Sequence, residues 1–114
     1  MHILVVDDDA VMRELLQYFL EEQGLSVSTA SNPPEALQFL EHNAIDLVLS
    51  DLVMPGGGGK FLIKSIQLTQ PKLPVIVMSG YGSNDRDIST LQTHGFWRKG
   101  EAIDRLIDLV KTVQ

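Results

Sequence analysis

Ile3-Leu4-Val5-Val6 runs without a break into Asp7-Asp8-Asp9. Four consecutive apolar residues, three of them β-branched, suit a strand covered on both faces, as in a parallel sheet. Leu47-Val48-Leu49 and Val75-Ile76-Val77-Met78 repeat the pattern. Leu25-Ser26-Val27-Ser28-Thr29-Ala30 alternates instead, which fits an edge strand with one wetter face. Phe96-Trp97-Arg98 is a shorter candidate for the opposite edge.

Helical patterns separate these strands. Val11, Leu15, Phe19 and Leu20 form one apolar stripe, and Gly24 suits the left-handed position after its end. Asn32-Pro33-Pro34 reads as a cap and first turn, with Ala36, Leu37 and Leu40 on the inner face. Phe61, Leu62, Ser65 and Ile66 continue the period until Pro71. Residues 84–94 give a weaker, shorter helix, with Ile88 and Leu91 its apolar members. Ile103, Leu106, Ile107, Val110 and Val113 give the clearest stripe. Five β-α repeats imply an α/β fold, a doubly wound five-stranded parallel sheet with five helices. The expected strand order is 2-1-3-4-5.

The chain has 114 residues, 15 acidic and 9 basic, with no cysteine. That length suits one domain, expected to span residues 1–114. The last helix ends close to Gln114, so no output domain is expected within these residues. Without cysteine there is no disulfide, thiolate metal site or cysteine nucleophile. A net charge of -6 argues against nucleic-acid binding by this domain. No apolar run approaches the ~20 residues of a membrane span, so the cytoplasm is the expected compartment.

In open α/β sheets ligands bind beyond the carboxyl ends of the strands. Here those ends carry Asp7-Asp8-Asp9, Ser50-Asp51, Ser79-Gly80 and Arg98-Lys99. Neighbouring strands 1 and 3 would bring Asp7, Asp8 and Asp51 together, where like charges repel unless a cation shares the site. Oxygen ligands suit a hard divalent cation such as Mg²⁺. The Ser79 hydroxyl and the Lys99 ammonium add a donor and a positive charge, a set matched to a phosphoryl group. Asp9 reads as a helix N-cap and Ser50 as a backbone-bonding residue turned away from the site. The run Pro55-Gly56-Gly57-Gly58-Gly59-Lys60 is not a Walker loop, because Met54 and Phe61 stand where Gly and Ser or Thr are needed. It reads as a mobile loop ahead of the third helix. His2, His42 and His94 have no metal-ligand spacing.

Val5-Val6-Asp7-Asp8, Asp51-Leu52-Val53-Met54-Pro55 with Gly59, Leu73-Pro74-Val75-Ile76-Val77-Met78-Ser79-Gly80, and Phe96 before Lys99 resemble the receiver domain of two-component response regulators. The resemblance covers nearly the whole chain and implies a flavodoxin-like fold. It implies that Asp51 is the phosphoacceptor and that Asp7 and Asp8 are the acidic Mg²⁺ pair. The Val53 carbonyl would be a further ligand beside Asp8 and Asp51. Lys99 would bind the phosphoryl group, and Ser79 and Phe96 would be the switch hydroxyl and aromatic. Val53 and Tyr81 fall where side chains tune the lifetime of the phosphorylated form. The implied donor is a histidine kinase or a histidine phosphotransfer protein. The implied output is a downstream protein target, a covalently linked domain or a phosphorylation-dependent homodimer. On this reading the chain is not a dedicated enzyme but a Mg²⁺-dependent phosphoacceptor with slow autodephosphorylation.

The chain departs from the family pattern in three places. Gly100 follows Lys99 where the family usually has a cis-proline. The stretch from Ser79 to Lys99 is about two residues shorter than usual, and the glycine run replaces a more ordered loop. Two other readings compete. One is a receiver-like binding module that signals without phosphorylation. The other is a haloacid-dehalogenase-type hydrolase with Asp7 as nucleophile, although Ala10-Val11 stands where that family has Gly-Thr.

Overall fold

Strand spacing and helix caps account for the architecture in a computed structural model that describes residues 1–54, 58–80 and 93–113. The elements follow in the order β1 (His2–Val6), α1 (Ala10–Glu22), β2 (Ser26–Ala30), α2 (Pro33–His42), β3 (Leu47–Asp51), α3 (Gly58–Thr69), β4 (Val75–Ser79), β5 (Gly95–Arg98) and α4 (Ile103–Val113). The strands form one sheet in the order β2-β1-β3-β4-β5, every pair parallel, as the alternation of strands and helices predicts. The described residues hold four helices. The helix expected over residues 84–94 falls almost wholly outside them, and so does Tyr81.

Asp9 begins α1 by accepting hydrogen bonds from the Val11 and Met12 amides at 3.0 and 3.4 Å. Asn32 does the same for α2, accepting from the Glu35 amide at 2.8 Å, with Pro33 and Pro34 pre-set for the first turn. Gly24 takes φ +81°, the left-handed turn expected after α1.

Each central strand feeds two cores, because successive side chains alternate between the faces of the sheet. Leu4, Val6, Val48, Val75 and Val77 pack with Ala36 and Leu40 of α2 and with Leu62, Ile63 and Ile66 of α3. Ile3, Val5, Leu47, Leu49, Ile76, Met78 and Trp97 pack with Leu16 and Leu20 of α1 and with Leu106 and Val110 of α4. The same alternation sorts the polar residues at the strand ends. Asp7, Asp51 and Lys99 continue the face shared with α1 and α4, whereas Ser79 and Phe96 continue the face shared with α3.

Two apolar stripes differ from the expectation. Leu16 and Leu20 carry the buried face of α1, while Val11 is 73% and Leu15 45% exposed. The helix carries two apolar stripes about 100° apart, and only the one through Met12, Leu16 and Leu20 meets Ile3 and Val5. On α3, Phe61 is likewise exposed, and Leu62, Ile63 and Ile66 fill the core. The glycine run is divided. Gly58 and Gly59 already belong to α3, whereas Gly56 and Gly57 lie outside the described residues.

Candidate functional site

The turn from β1 into α1 fixes the first acidic residues. The Asp7 amide donates to Ala30 O at 3.2 Å, and Asp7 Oδ1 accepts from the Asp9 amide at 3.0 Å. Arg13, one turn into α1, donates from Nη1 to the Asp7 carbonyl at 2.7 Å. Asp7 is thereby fully buried, while Asp8 next to it points to the exposed rim.

Asp51 ends β3 and is nearly buried. Its Oδ1 accepts from the Val53 amide at 3.3 Å, and its Oδ2 accepts from Lys99 Nζ at 2.9 Å. Lys99 reaches in from the end of β5, where its amide donates to Ser79 O at 2.7 Å. Its Nζ also lies 2.7 Å from Asp7 Oδ2, so one ammonium bridges two carboxylates. Val53 itself is exposed beside Asp51.

Gly59 sets how closely α3 approaches the backbone at Asp51 and Leu52. Its amide donates to Leu52 O at 3.0 Å. A Cβ there would lie 1.9 Å from Asp51 O and 2.7 Å from Leu52 Cα, so only glycine fits.

One carboxylate oxygen each from Asp7, Asp8 and Asp51 lies within 4.8 Å of the others. Burial pushes the Asp7 carboxyl above its ordinary value, against the pull of Lys99 and the Asp9 amide, and the Asp51 charge adds to the rise. Burial lowers the Lys99 ammonium, but its hydrogen bonds and charge contacts with Asp7 and Asp51 outweigh that and hold it above its usual value. Asp7 Oδ2 is buried, and its partner is the Lys99 ammonium at 2.7 Å. Three clustered carboxylates served by a single ammonium are a donor set that a hard divalent cation would complete.

Asp7, Asp8, Asp51 and Lys99 therefore come together as the strand-end pattern predicts. Ser79 is buried at the end of β4, its hydroxyl donating to Gly80 O at 3.2 Å. Phe96 is half-buried on the α3 side of β5, with the Arg98 guanidinium 5.5 Å from its ring centroid. Ser50 donates its hydroxyl to Asp51 O at 3.0 Å, the backbone role expected of it. Gly100 takes φ +98°, which proline cannot adopt, and the described residues contain no cis peptide bond. The sequence reading missed Arg13 and Glu101. No motif marks either one: Arg13 meets the Asp7 carbonyl, and Glu101 meets the Arg98 amide and the Arg105 guanidinium.

A family model for the response regulator receiver domain matches residues 3–111. The chain belongs to that family. This receiver domain is 37% identical over 111 residues to the response regulator protein PilR of Pseudomonas aeruginosa, covering 96% of this chain and 25% of that protein. It is 38% identical over 94 residues to the DNA-binding transcriptional regulator NtrC of Escherichia coli K12, covering 82% of this chain and 20% of that one. The chain thus spans about a quarter or less of the length of these relatives. Among solved structures, the response regulator TrrA of Thermotoga maritima, crystallised in complex with Mg²⁺–BeF, superposes with a TM-score of 0.92 at 33% identity, covering 99% of this chain and 98% of that one. No helix among the described residues is long and apolar enough to cross a membrane.

Proposed function

We propose that this receiver domain accepts a phosphoryl group on Asp51 from a histidine kinase or a histidine phosphotransfer protein, in a Mg²⁺-dependent reaction in the cytoplasm. The observation that carries the reading is the Asp51 carboxylate itself, held between Lys99 Nζ and the Val53 amide inside a cluster of three carboxylates. Asp7, Asp8, Asp51 and the Val53 carbonyl would hold the ion. When bound, Mg²⁺ would offset the charge on the transferred phosphoryl oxygens.

In the transfer, one Asp51 oxygen bonds to phosphorus while the bond from phosphorus to the donor's imidazole nitrogen breaks. That bond's electron pair stays on the imidazole, which takes up a proton as it leaves. Lys99, freed from its carboxylate contacts, pairs with a phosphoryl oxygen. Ser79 donates its hydroxyl to another, and the Phe96 ring moves inward behind it. The hydrolase alternative needs Asp7 as nucleophile, and Asp7 is the more enclosed of the two, its side chain fully buried against 7% exposure for Asp51. The exposed stripe of Val11, Leu15 and Tyr18 on α1, which starts at the rim of the site, suits docking of the donor protein. The output would be a linked domain, a separate target or a homodimer.

The test is labelling by a small acyl phosphate. Wild type should label only with Mg²⁺, and Asp51→Asn should not label while remaining folded; wild-type labelling of that variant contradicts the assignment. The labelled protein should be long-lived once the donor is removed. An in-line water needs a polar side chain to orient it, and Val53 offers only methyl groups. Val53→Asn with Tyr81→Glu should release phosphate roughly tenfold faster, equivalent to about 1.4 kcal/mol of positioning. Equal release rates would remove both side chains from control of the lifetime.

A further inference from the structure

β5 is an edge strand, so half of its backbone polar groups face no neighbouring strand. The Lys99 amide bonds Ser79 O across the β4–β5 ladder, and alternation therefore turns the Phe96 carbonyl and the Arg98 amide toward the open edge. Two side chains meet them there. Arg105 Nη1 donates to Phe96 O at 3.0 Å, and the Arg98 amide donates to Glu101 Oε1 at 3.0 Å. Glu101 Oε2 in turn pairs with Arg105 Nη1 at 3.4 Å. The pair supplies one donor and one acceptor, as a sixth strand would.

The same residues close the turn that carries Lys99. The Glu101 amide donates to Arg98 O at 3.0 Å, and Trp97 Nε1 donates to Ala102 O at 3.2 Å. Between them Gly100 takes φ +98°, with nothing within 4 Å of where a Cβ would stand. Glycine is the residue with the most backbone freedom, so a turn built on it keeps one shape only if other bonds hold it.

We propose that Glu101 is a positioning residue for Lys99. Its carboxylate locks the Arg98–Glu101 turn so that the ammonium stays aimed at Asp7 and Asp51, within reach of the transferred phosphoryl group. The inference rests on the phosphoryl-binding role given to Lys99 above. Glu101 touches none of the reacting atoms and acts only through the turn.

The test compares labelling rates by a small acyl phosphate at saturating Mg²⁺ with amide hydrogen exchange in the same proteins. Glu101→Ala should label roughly tenfold more slowly, because small misplacements of a positioned group cost large factors in rate. Glu101→Gln keeps an acceptor for the Arg98 amide and should recover most of the rate. In a Lys99→Ala background, Glu101→Ala should bring no further loss. Exchange at the Lys99 amide, which does not itself touch Glu101, should speed up in Glu101→Ala and not in Glu101→Gln. If Lys99→Ala labels like wild type, the role of Lys99 falls and this inference falls with it. If Lys99→Ala is slow but Glu101→Ala is not, or if the two losses multiply, the role of Glu101 alone is overturned. Unchanged exchange at the Lys99 amide in Glu101→Ala also overturns it.

Discussion

Gly59→Ala should lower the melting temperature by on the order of 10 °C or more, a larger fall than any exposed substitution on the same helix would give. The added methyl would lie 1.9 Å from the Asp51 carbonyl and 2.8 Å from that of Leu52, both backbone atoms at the end of a central strand. Neither can rotate aside. Either α3 withdraws, breaking the bond from the Gly59 amide to Leu52 O and unpacking Leu62 and Ile63, or β3 shifts and carries Asp51 with it. Overpacking of this kind typically costs about 1–3 kcal/mol and more where backbone must move. Labelling of Asp51 should fall even at temperatures where the variant is folded. Thermal unfolding followed by circular dichroism measures the first effect, and a melting temperature within a degree or two of wild type would mean that the close approach of α3 is not required.

Asp7→Asn should have effects of opposite sign with and without the metal. Burial raises the Asp7 carboxyl above its ordinary value, so the folded state favours its neutral form. A group with a raised folded pKa contributes stability at pH below its unfolded value, and that contribution is lost as the pH climbs through the folded value. As the pH rises through that folded value, the metal-free protein must ionise a buried Asp7 at a net cost. Asparagine removes the charge at nearly constant shape. Lys99 keeps Asp51 as a partner at 2.9 Å, so no ammonium is stranded. The metal-free variant should melt higher than wild type at pH 7, with the difference shrinking toward pH 4. With excess Mg²⁺ the order should reverse, because an ion that binds only the folded wild type stabilises it by mass action. Trp97 lies on β5 two residues before Lys99, with its side chain in the α1–α4 core, so its fluorescence is a convenient reporter of Mg²⁺ binding. A metal-free Asp7→Asn protein that melts below wild type at pH 7 would show that the Lys99 contact outweighs the burial.

The strand pattern made the sheet legible because a parallel sheet must bury both faces of its central strands. Ile3 to Val6 and Val75 to Met78 therefore stand out as uninterrupted apolar runs, and strand order followed from the wetter Ser26–Ala30 edge. The acidic cluster was legible for a related reason: strand ends in this topology converge, and the residues just past them are polar for no packing reason. Helix faces were harder to read. On α1 the Val11–Leu15 stripe and the Met12–Leu16 stripe are equally apolar in sequence, and only contact with Ile3 and Val5 selects the second. Arg13 left no trace in the sequence because it meets a backbone carbonyl, which any residue type could have supplied; Glu101 stands four residues before Arg105, a legible pairing, but its bond to the Arg98 amide is not. The demand on Gly59 was visible only as part of a family motif, since its cause is the distance to the Asp51 carbonyl and not any local turn.

The central claim is that the carboxylate at position 51, and not its neighbours in the cluster, takes up phosphate. Wild-type protein should be exposed to a small acyl phosphate with and without Mg²⁺, then reduced with borohydride, which converts an aspartyl phosphate to homoserine, and mapped by peptide mass spectrometry. The account predicts homoserine at position 51 alone, and only where Mg²⁺ was present. Homoserine at position 7 or 8, or equal conversion of Asp51 without the metal, would contradict it.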